Sequence, residues 1–212
     1  MNDRFNYTAS KLSDQELKER IENRPKYLPE TIEASVTELQ NRGVVFSDEE
    51  LKVINEDLAA QRENALAPNI GYGVFNNKYK HSIVDDTDAP YFYSKRAIYV
   101  FTILFSVVFG SVMLAINCQK IKNKAGLIWS IVFGITFMTA QVLITQALNS
   151  SSYSAPAYLF GLAAAAIIEA VLWPRFIGNA TFYRARPIWV PLIIGVLVSA
   201  LIIWAIVAGG QR

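Results

Sequence analysis

Four apolar stretches lie between residues 97 and 210 of this 212-residue chain, and they restrict its fold more than any other feature. They are AIYVFTILFSVVFGSVMLAINC (97–118), AGLIWSIVFGITFMTAQVLITQAL (125–148), APAYLFGLAAAAIIEAVLW (155–173) and PIWVPLIIGVLVSALIIWAIVAGG (187–210). A hydrocarbon core of about 30 Å takes about 20 residues at 1.5 Å each, and each stretch is close to that length or beyond it. Core helices of a soluble protein would show a polar face, and these have almost none. Aromatic rings such as Tyr99, Tyr158, Trp173 and Trp189 lie near the ends, where headgroups accommodate them. The links, roughly 119–124, 149–154 and 174–186, are short enough to force antiparallel neighbours. The expected fold is therefore all-α: an up-down bundle of four membrane helices, 96–212, preceded by a small soluble region. Ser130-x3-Gly134 and Gly161-x3-Ala165 have the small-residue spacing that lets helices approach closely within such a bundle.

Charge divides the chain at the same place. Residues 1–95 hold 17 of the 18 Asp/Glu and 12 of the 20 Lys/Arg, a net charge of −5, whereas 96–212 hold eight basic residues and one acidic one. No Lys/Arg stripe interleaved with aromatics occurs in the soluble half, so nucleic acid is not an expected partner. Orientation is contested within the sequence. The loops after spans one and three carry Lys120, Lys122, Lys124, Arg175, Arg184 and Arg186. The other side carries Lys78, Lys80, Lys95, Arg96 and Arg212. The positive-inside rule favours the first set in the cytoplasm, which would require export of the charged N-terminal region. MNDRFNYTASKLSDQEL has no apolar core of the kind a cleaved signal needs, and a cytoplasmic N-terminus is the expectation.

The soluble half reads as three short helices within 12–65. LSDQEL (12–17) and FSDEEL (46–51) each place a serine three residues before a glutamate, with an apolar residue on either side. That is a capping box with a hydrophobic staple. Between them, Pro29 suits a first helical turn and Gly43 suits the residue after a helix end. Ile32, Val36 and Leu39 fall on one face at helical spacing, and Leu51, Ile54 and Leu58 on another. A module of about 55 residues is marginal alone, so its apolar faces are expected to rest against each other, and these six residues are also the candidate face for a protein partner, a second copy or the membrane half. Residues 66–95 lack periodicity and read as a connector.

Little in the chain points to a reaction. Gly71-Tyr72-Gly73 lacks the context of a phosphate loop, and His81, the only histidine, has no second ligand at metal spacing. Asp85, Asp86 and Asp88 lack the glycine and glutamate of a calcium loop and read as a solvated acidic turn. With one histidine and one cysteine, Cys118, most nucleophile-plus-base arrangements are excluded, and the expectation is a non-enzyme without cofactor or metal. The Asn6-Tyr7-Thr8, Asn149-Ser150-Ser151 and Asn179-Ala180-Thr181 triplets carry meaning only in a secretory pathway.

The candidate intramembrane polar site is Glu169 with Gln141 and Thr145. Glu169 precedes Trp173 by four residues, about 6 Å, so it lies near the membrane edge. There it can pair with Lys120, Lys122, Arg184 or Arg186; a proton or cation relay is the alternative.

Tyr27, Pro29, Glu30, Ala34, Glu38, Leu39, Arg42 and Gly43, within YLPETIEASVTELQNRG, form a Y-x-P-E…E-L-x-x-R-G pattern. Followed by FSDEELKVI and then span one, it resembles the helical module of small bacterial membrane proteins of unassigned function. The resemblance covers about 27–118 and implies a bacterial inner membrane. It implies no more precise activity. The chain as a whole is expected to be a multi-pass, non-enzymatic accessory or scaffolding subunit that presents its module to a partner; a small transporter or channel component using Glu169 and Gln141 is the alternative.

Overall fold

The computed structural model describes residues 3–66, 82–147, 154–179 and 181–209. The Gly71-Tyr72-Gly73 turn, His81, the Asn149-Ser150-Ser151 triplet and residues 67–81 of the connector lie outside the described residues. The chain is mostly helical and forms two compact units.

The first unit contains α1 (Asp3–Ser10), α2 (Asp14–Glu22), α3 (Pro29–Asn41) and α4 (Asp48–Leu66). Both capping boxes form. The Ser13 N–H donates to Glu16 Oε2 at 2.8 Å while the Glu16 N–H donates to Ser13 Oγ at 3.3 Å. Ser47 and Glu50 repeat the exchange at 2.8 and 3.2 Å. Pro29 opens α3, and Gly43 follows it at φ +90°, a conformation that costs glycine little. Helix α1 lies outside the three expected helices: DRFNYTAS is short, yet its Ala9 is buried with Leu17, Ile32, Leu39 and Leu58. Arg42 ties the end of α3 to the α1–α2 link, donating to Asp14 at 2.7 Å, Glu38 at 2.8 Å and the Leu12 carbonyl at 2.8 Å.

Part of the expected connector belongs to this unit. The Asp85 N–H donates to the Lys26 carbonyl at 2.8 Å, and the Arg4 guanidinium meets Asp88 at 2.8 Å. Asp86 corrects the reading of a solvated acidic turn. It is fully buried, and its carboxylate accepts from the Leu28 N–H at 3.1 Å and the Asp88 N–H at 2.9 Å. Those donors replace the water that burial removes. Val84, Ala89 and Phe182 pack on Leu28 and Ala65, and the Val84 N–H donates to the Tyr183 carbonyl.

In the second unit the expected first span, 97–118, is not one helix. It is α5 (Lys95–Leu104) and α6 (Val107–Lys120), with extended backbone at Ser106 between them. Ser106 Oγ accepts from the Phe109 N–H at 3.2 Å and starts α6 afresh. The two helices fold back on each other so closely that a Cβ on Gly110 would overlap Thr102 Oγ1. At ten residues, α5 is about 15 Å long, half a hydrocarbon core. The expectation of four up-down spans is corrected accordingly: the first element is a helical hairpin.

The remaining stretches form long helices. They are α7 (Lys124–Ala147); a continuous run of α8 (Ser154–Ile167), a π-helical turn (Ile168–Leu172) and α9 (Trp173–Phe176); and α10 (Trp189–Gly209). Among the described residues, Lys124–Ala147 and Tyr158–Phe176 are long and apolar enough to cross a membrane, and Val107–Lys120 and Trp189–Ala205 are shorter apolar helices. Helix α7 lies antiparallel on α6 through small residues: a Cβ at Gly126 would press on Cys118 Sγ, and one at Gly134 on Ser111. This is the packing expected of the small-residue spacing. Gly161 of α8 lies against the Thr102–Ile103 backbone, and Gly195 of α10 against the Phe105 ring. The opposite faces are bare: Ile128, Trp129, Ile135 and Leu143 of α7 and Val196, Leu201, Ile203 and Trp204 of α10 are exposed.

The capping boxes carry a pH dependence. Glu16 is held below its ordinary pKa by the Ser13 hydroxyl and then the Ser13 N–H, and Glu50 by the Ser47 N–H and then its hydroxyl. A folded pKa below the unfolded value gives stability that is complete above about pH 4.3 and lost as pH falls through the lower folded value. The amide proton shifts of Ser13 and Ser47, followed by NMR, are expected to titrate with midpoints below 4.3. Midpoints at or above that value would remove the capping boxes as a source of stability.

Candidate functional site

Polar residues of the second unit meet at one end of its helices. The Asn117 side chain, on the last turn of α6, is fully buried and grips the backbone just before α5. Its Oδ1 accepts from the Tyr93 N–H at 2.9 Å and its Nδ2 donates to the Tyr93 carbonyl at 2.8 Å. The reciprocal pair satisfies both backbone groups and holds the two ends of the hairpin side by side. Asn123 does similar work one turn further on. Its Oδ1 accepts from the Gly126 N–H to cap α7, and its Nδ2 donates to the Phe176 carbonyl at 2.9 Å, the end of α9. The Arg186 N–H donates to the Phe92 carbonyl at 2.7 Å, and its guanidinium lies 4.8 Å from the Tyr93 ring centroid. Phe92 stands edge-on to the buried Trp173 at 6.4 Å.

Glu169 sits in this end, on the π-helical turn, and is buried. Its carboxylate acts on Lys95 and Tyr99 through space. Lys95 Nζ lies 5.3 Å from the Trp173 ring centroid, in range of a cation–π contact. Burial lowers the pKa of Lys95, and the Glu169 carboxylate opposes that shift. Counting along the sequence placed Lys95 on the far side of the membrane from Glu169, because it assumed a straight first span. The reversal at Ser106 brings Lys95 back. The one local sign of that reversal is a serine inside an apolar run, and serines are common in membrane helices.

Gln141 and Thr145 do not join Glu169. Gln141 lines a cavity of about 370 Å³ with Phe105, Ser106, Tyr158 and Gly161, at the tip of the hairpin. Gly126 marks the level of Phe176 on α7. Gln141 lies 15 residues beyond Gly126, and Glu169 seven residues before Phe176, so they differ in depth by roughly 12 Å. The Thr145 hydroxyl donates to the Gln141 carbonyl at 2.8 Å, and Thr139 and Ser130 likewise bond back within α7. Such bonds satisfy a hydroxyl in an apolar setting.

The candidate partner face is the inside of the module. Ile32, Val36, Leu39, Ile54 and Leu58 are buried in the cluster of α1–α4, and Leu51 is packed against it. Among the described residues no group of three His, Cys, Asp or Glu side chains could hold a metal ion. Cys118 is buried against Gly126, where desolvation makes a thiol inert. No protein-family model, curated protein or solved structure matches this chain.

In Glu169→Gln the field that opposes desolvation of Lys95 is gone, so the Lys95 pKa is expected to fall further. More of the amine is then neutral at pH 8. Its labelling by an amine-reactive ester, read by mass spectrometry, should be faster than in wild type. An unchanged labelling rate would mean that the carboxylate does not act on Lys95.

Proposed function

We propose that this chain is an integral membrane protein with three crossings and one re-entrant hairpin. It is an accessory or scaffolding subunit that holds a small helical module at the cytoplasmic surface. The observation that carries the membrane reading is the outward apolar surface of α7. It is 24 residues long, about 36 Å, with only 11 % of its most apolar window buried. A core helix of a soluble protein would have that surface covered. Helix α10, 21 residues or about 31 Å, is bare over most of its length.

A re-entrant hairpin would remove the conflict over orientation. With α5 and α6 entering and leaving on one side, α7 crosses, the α8–α9 run returns and α10 crosses again. Lys95, Arg96, Lys120, Lys122, Lys124, Arg175, Arg184 and Arg186 then share a side, and the loop at 149–154 has no charge. The module precedes Lys95 with no apolar span between them. The positive-inside rule and a cytoplasmic N-terminus now agree. The likeness of 27–118 to small bacterial membrane proteins supports an inner membrane.

The scaffold reading rests on the module. Its apolar residues face one another, so a partner meets its outer surface, where Glu49 and Glu56 of α4 are exposed and residues 1–95 carry a net −5. The transporter reading draws no support from a Glu169 and a Gln141 set at different depths.

Two outcomes test this. With Cys118 replaced, single cysteines at Arg96 and Lys120 are expected to react with an impermeant maleimide from the same side of sealed vesicles. Labelling from opposite sides would restore a full first span and sink the hairpin topology. A protein partner is expected to co-purify in mild detergent and to be lost in the Glu49→Lys, Glu56→Lys double variant. A proton or cation flux in liposomes that Glu169→Gln abolishes, with no partner recovered, would replace the scaffold reading by the transporter.

A further inference from the structure

A groove of about 710 Å³ runs down the outer face of α7, from Ala125 and Trp129 at the basic end past Phe133 to Ala140. Leu172, Arg175 and Phe176 form its second wall at the basic end. Lower down, Phe137 meets Phe160 of α8 edge-on at 6.2 Å and closes the space between the helices. The volume is that of a ligand site, and the lining is apolar except at Arg175 and Thr136.

Three observations select the occupant. First, Ala125 to Ala140 is 15 residues, about 22 Å of helix, and one leaflet with its headgroups is half of 40–45 Å. Second, the only charge in the lining is Arg175, at the end where a headgroup would lie, with Trp129 one turn deeper, as interfacial tryptophans are. Third, among the described residues no ion pair involves Arg175, Lys120, Lys122 or Lys124. Glu169 is the only acid after Asp88, and it is buried on the π turn. Arg175, Lys120, Lys122 and Lys124 are all exposed at this end. A phosphate supplied from outside fits that imbalance, and guanidinium–phosphate pairing is strong and directional.

We propose that this groove is a binding site for one anionic phospholipid, its acyl chain along α7 between Trp129 and Phe137 and its phosphate on Arg175. The site rests on the membrane reading given above and adds to it a lipid class and an anchoring residue. A lipid held there bridges α7 and α9 at the end where Asn123 already joins them.

Native mass spectrometry of the full chain, released from detergent micelles doped with phosphatidylglycerol or with phosphatidylcholine of the same acyl composition, tests the site. Wild type is expected to retain one phosphatidylglycerol in preference to phosphatidylcholine. Arg175→Gln should weaken phosphatidylglycerol retention about tenfold, the worth of one hydrogen bond to a charged group, and Arg175→Lys should recover part of it. Thr136→Trp fills the groove away from the charge and should remove retention of both lipids; unchanged helicity by circular dichroism shows that the variants fold. Equal retention of the two lipids by wild type, or retention untouched by both Arg175→Gln and Thr136→Trp, overturns the site. Displacement of phosphatidylglycerol by millimolar inorganic phosphate would make the ligand a free anion and also overturn it. If the chain stays in solution without detergent and does not partition into vesicles, the membrane reading itself has failed. A chain that partitions but shows no lipid preference has lost the site alone.

Discussion

The second unit depends on the two hydrogen bonds between Asn117 and the backbone of Tyr93. An apolar hairpin has no reason of its own to reverse where it does, because the turn leaves peptide groups without helical partners. Two features make the reversal tolerable. Ser106 caps the new helix with its own hydroxyl, and Gly110 lets α6 approach α5 until it touches Thr102. Asn117 then fixes where the hairpin closes, because one amide side chain satisfies a donor and an acceptor of the same residue. Lys95, Trp173, Arg186 and Asn123 are arranged around that closed end.

A polar residue in a long apolar stretch is commonly taken as the mark of a functional path. Here most of them are accounted for by helix geometry. Ser130, Thr139 and Thr145 bond to carbonyls one turn back, Asn117 joins two ends, and Asn123 caps a helix while holding its neighbour. Each is a local solution to the rule that backbone and side-chain polar groups must be satisfied without water. Glu169 differs in being a buried carboxyl group, and it stands on the π turn four residues before Trp173.

The legible part of the fold followed from signals that act over a few residues. Ser13–Glu16 and Ser47–Glu50 announce their helices because a capping box needs only four positions, and Gly43 announces an end because few residues tolerate its φ. The apolar runs announce α7, the α8–α9 run and α10 by length. What was not legible depended on distance in space. The break at Ser106 goes with the contact of Gly110 on Thr102 and the grip of Asn117 on Tyr93, 24 residues away, and these pairings have no local periodicity to reveal them. Asp86 looked solvated because one of its donors, the Leu28 N–H, lies 58 residues away. Ile32 and Leu39 looked available to a partner because α1, which helps bury them, has no signature. The position of Lys95 beside Glu169 was hidden by the same Ser106.

The π turn at Ile168–Leu172 has a geometric consequence. Each π turn closes its hydrogen-bonded ring one residue later than an α turn, so side chains beyond it are rotated by about 100° from where the preceding periodicity would set them. The helix from Ser154 to Phe176 therefore has two contact stripes out of phase rather than one. Its α8 part lies mainly on α5 and also touches α6 and α7, and its α9 part lies on α7. The carboxylate of Glu169 occupies the point where the stripe changes.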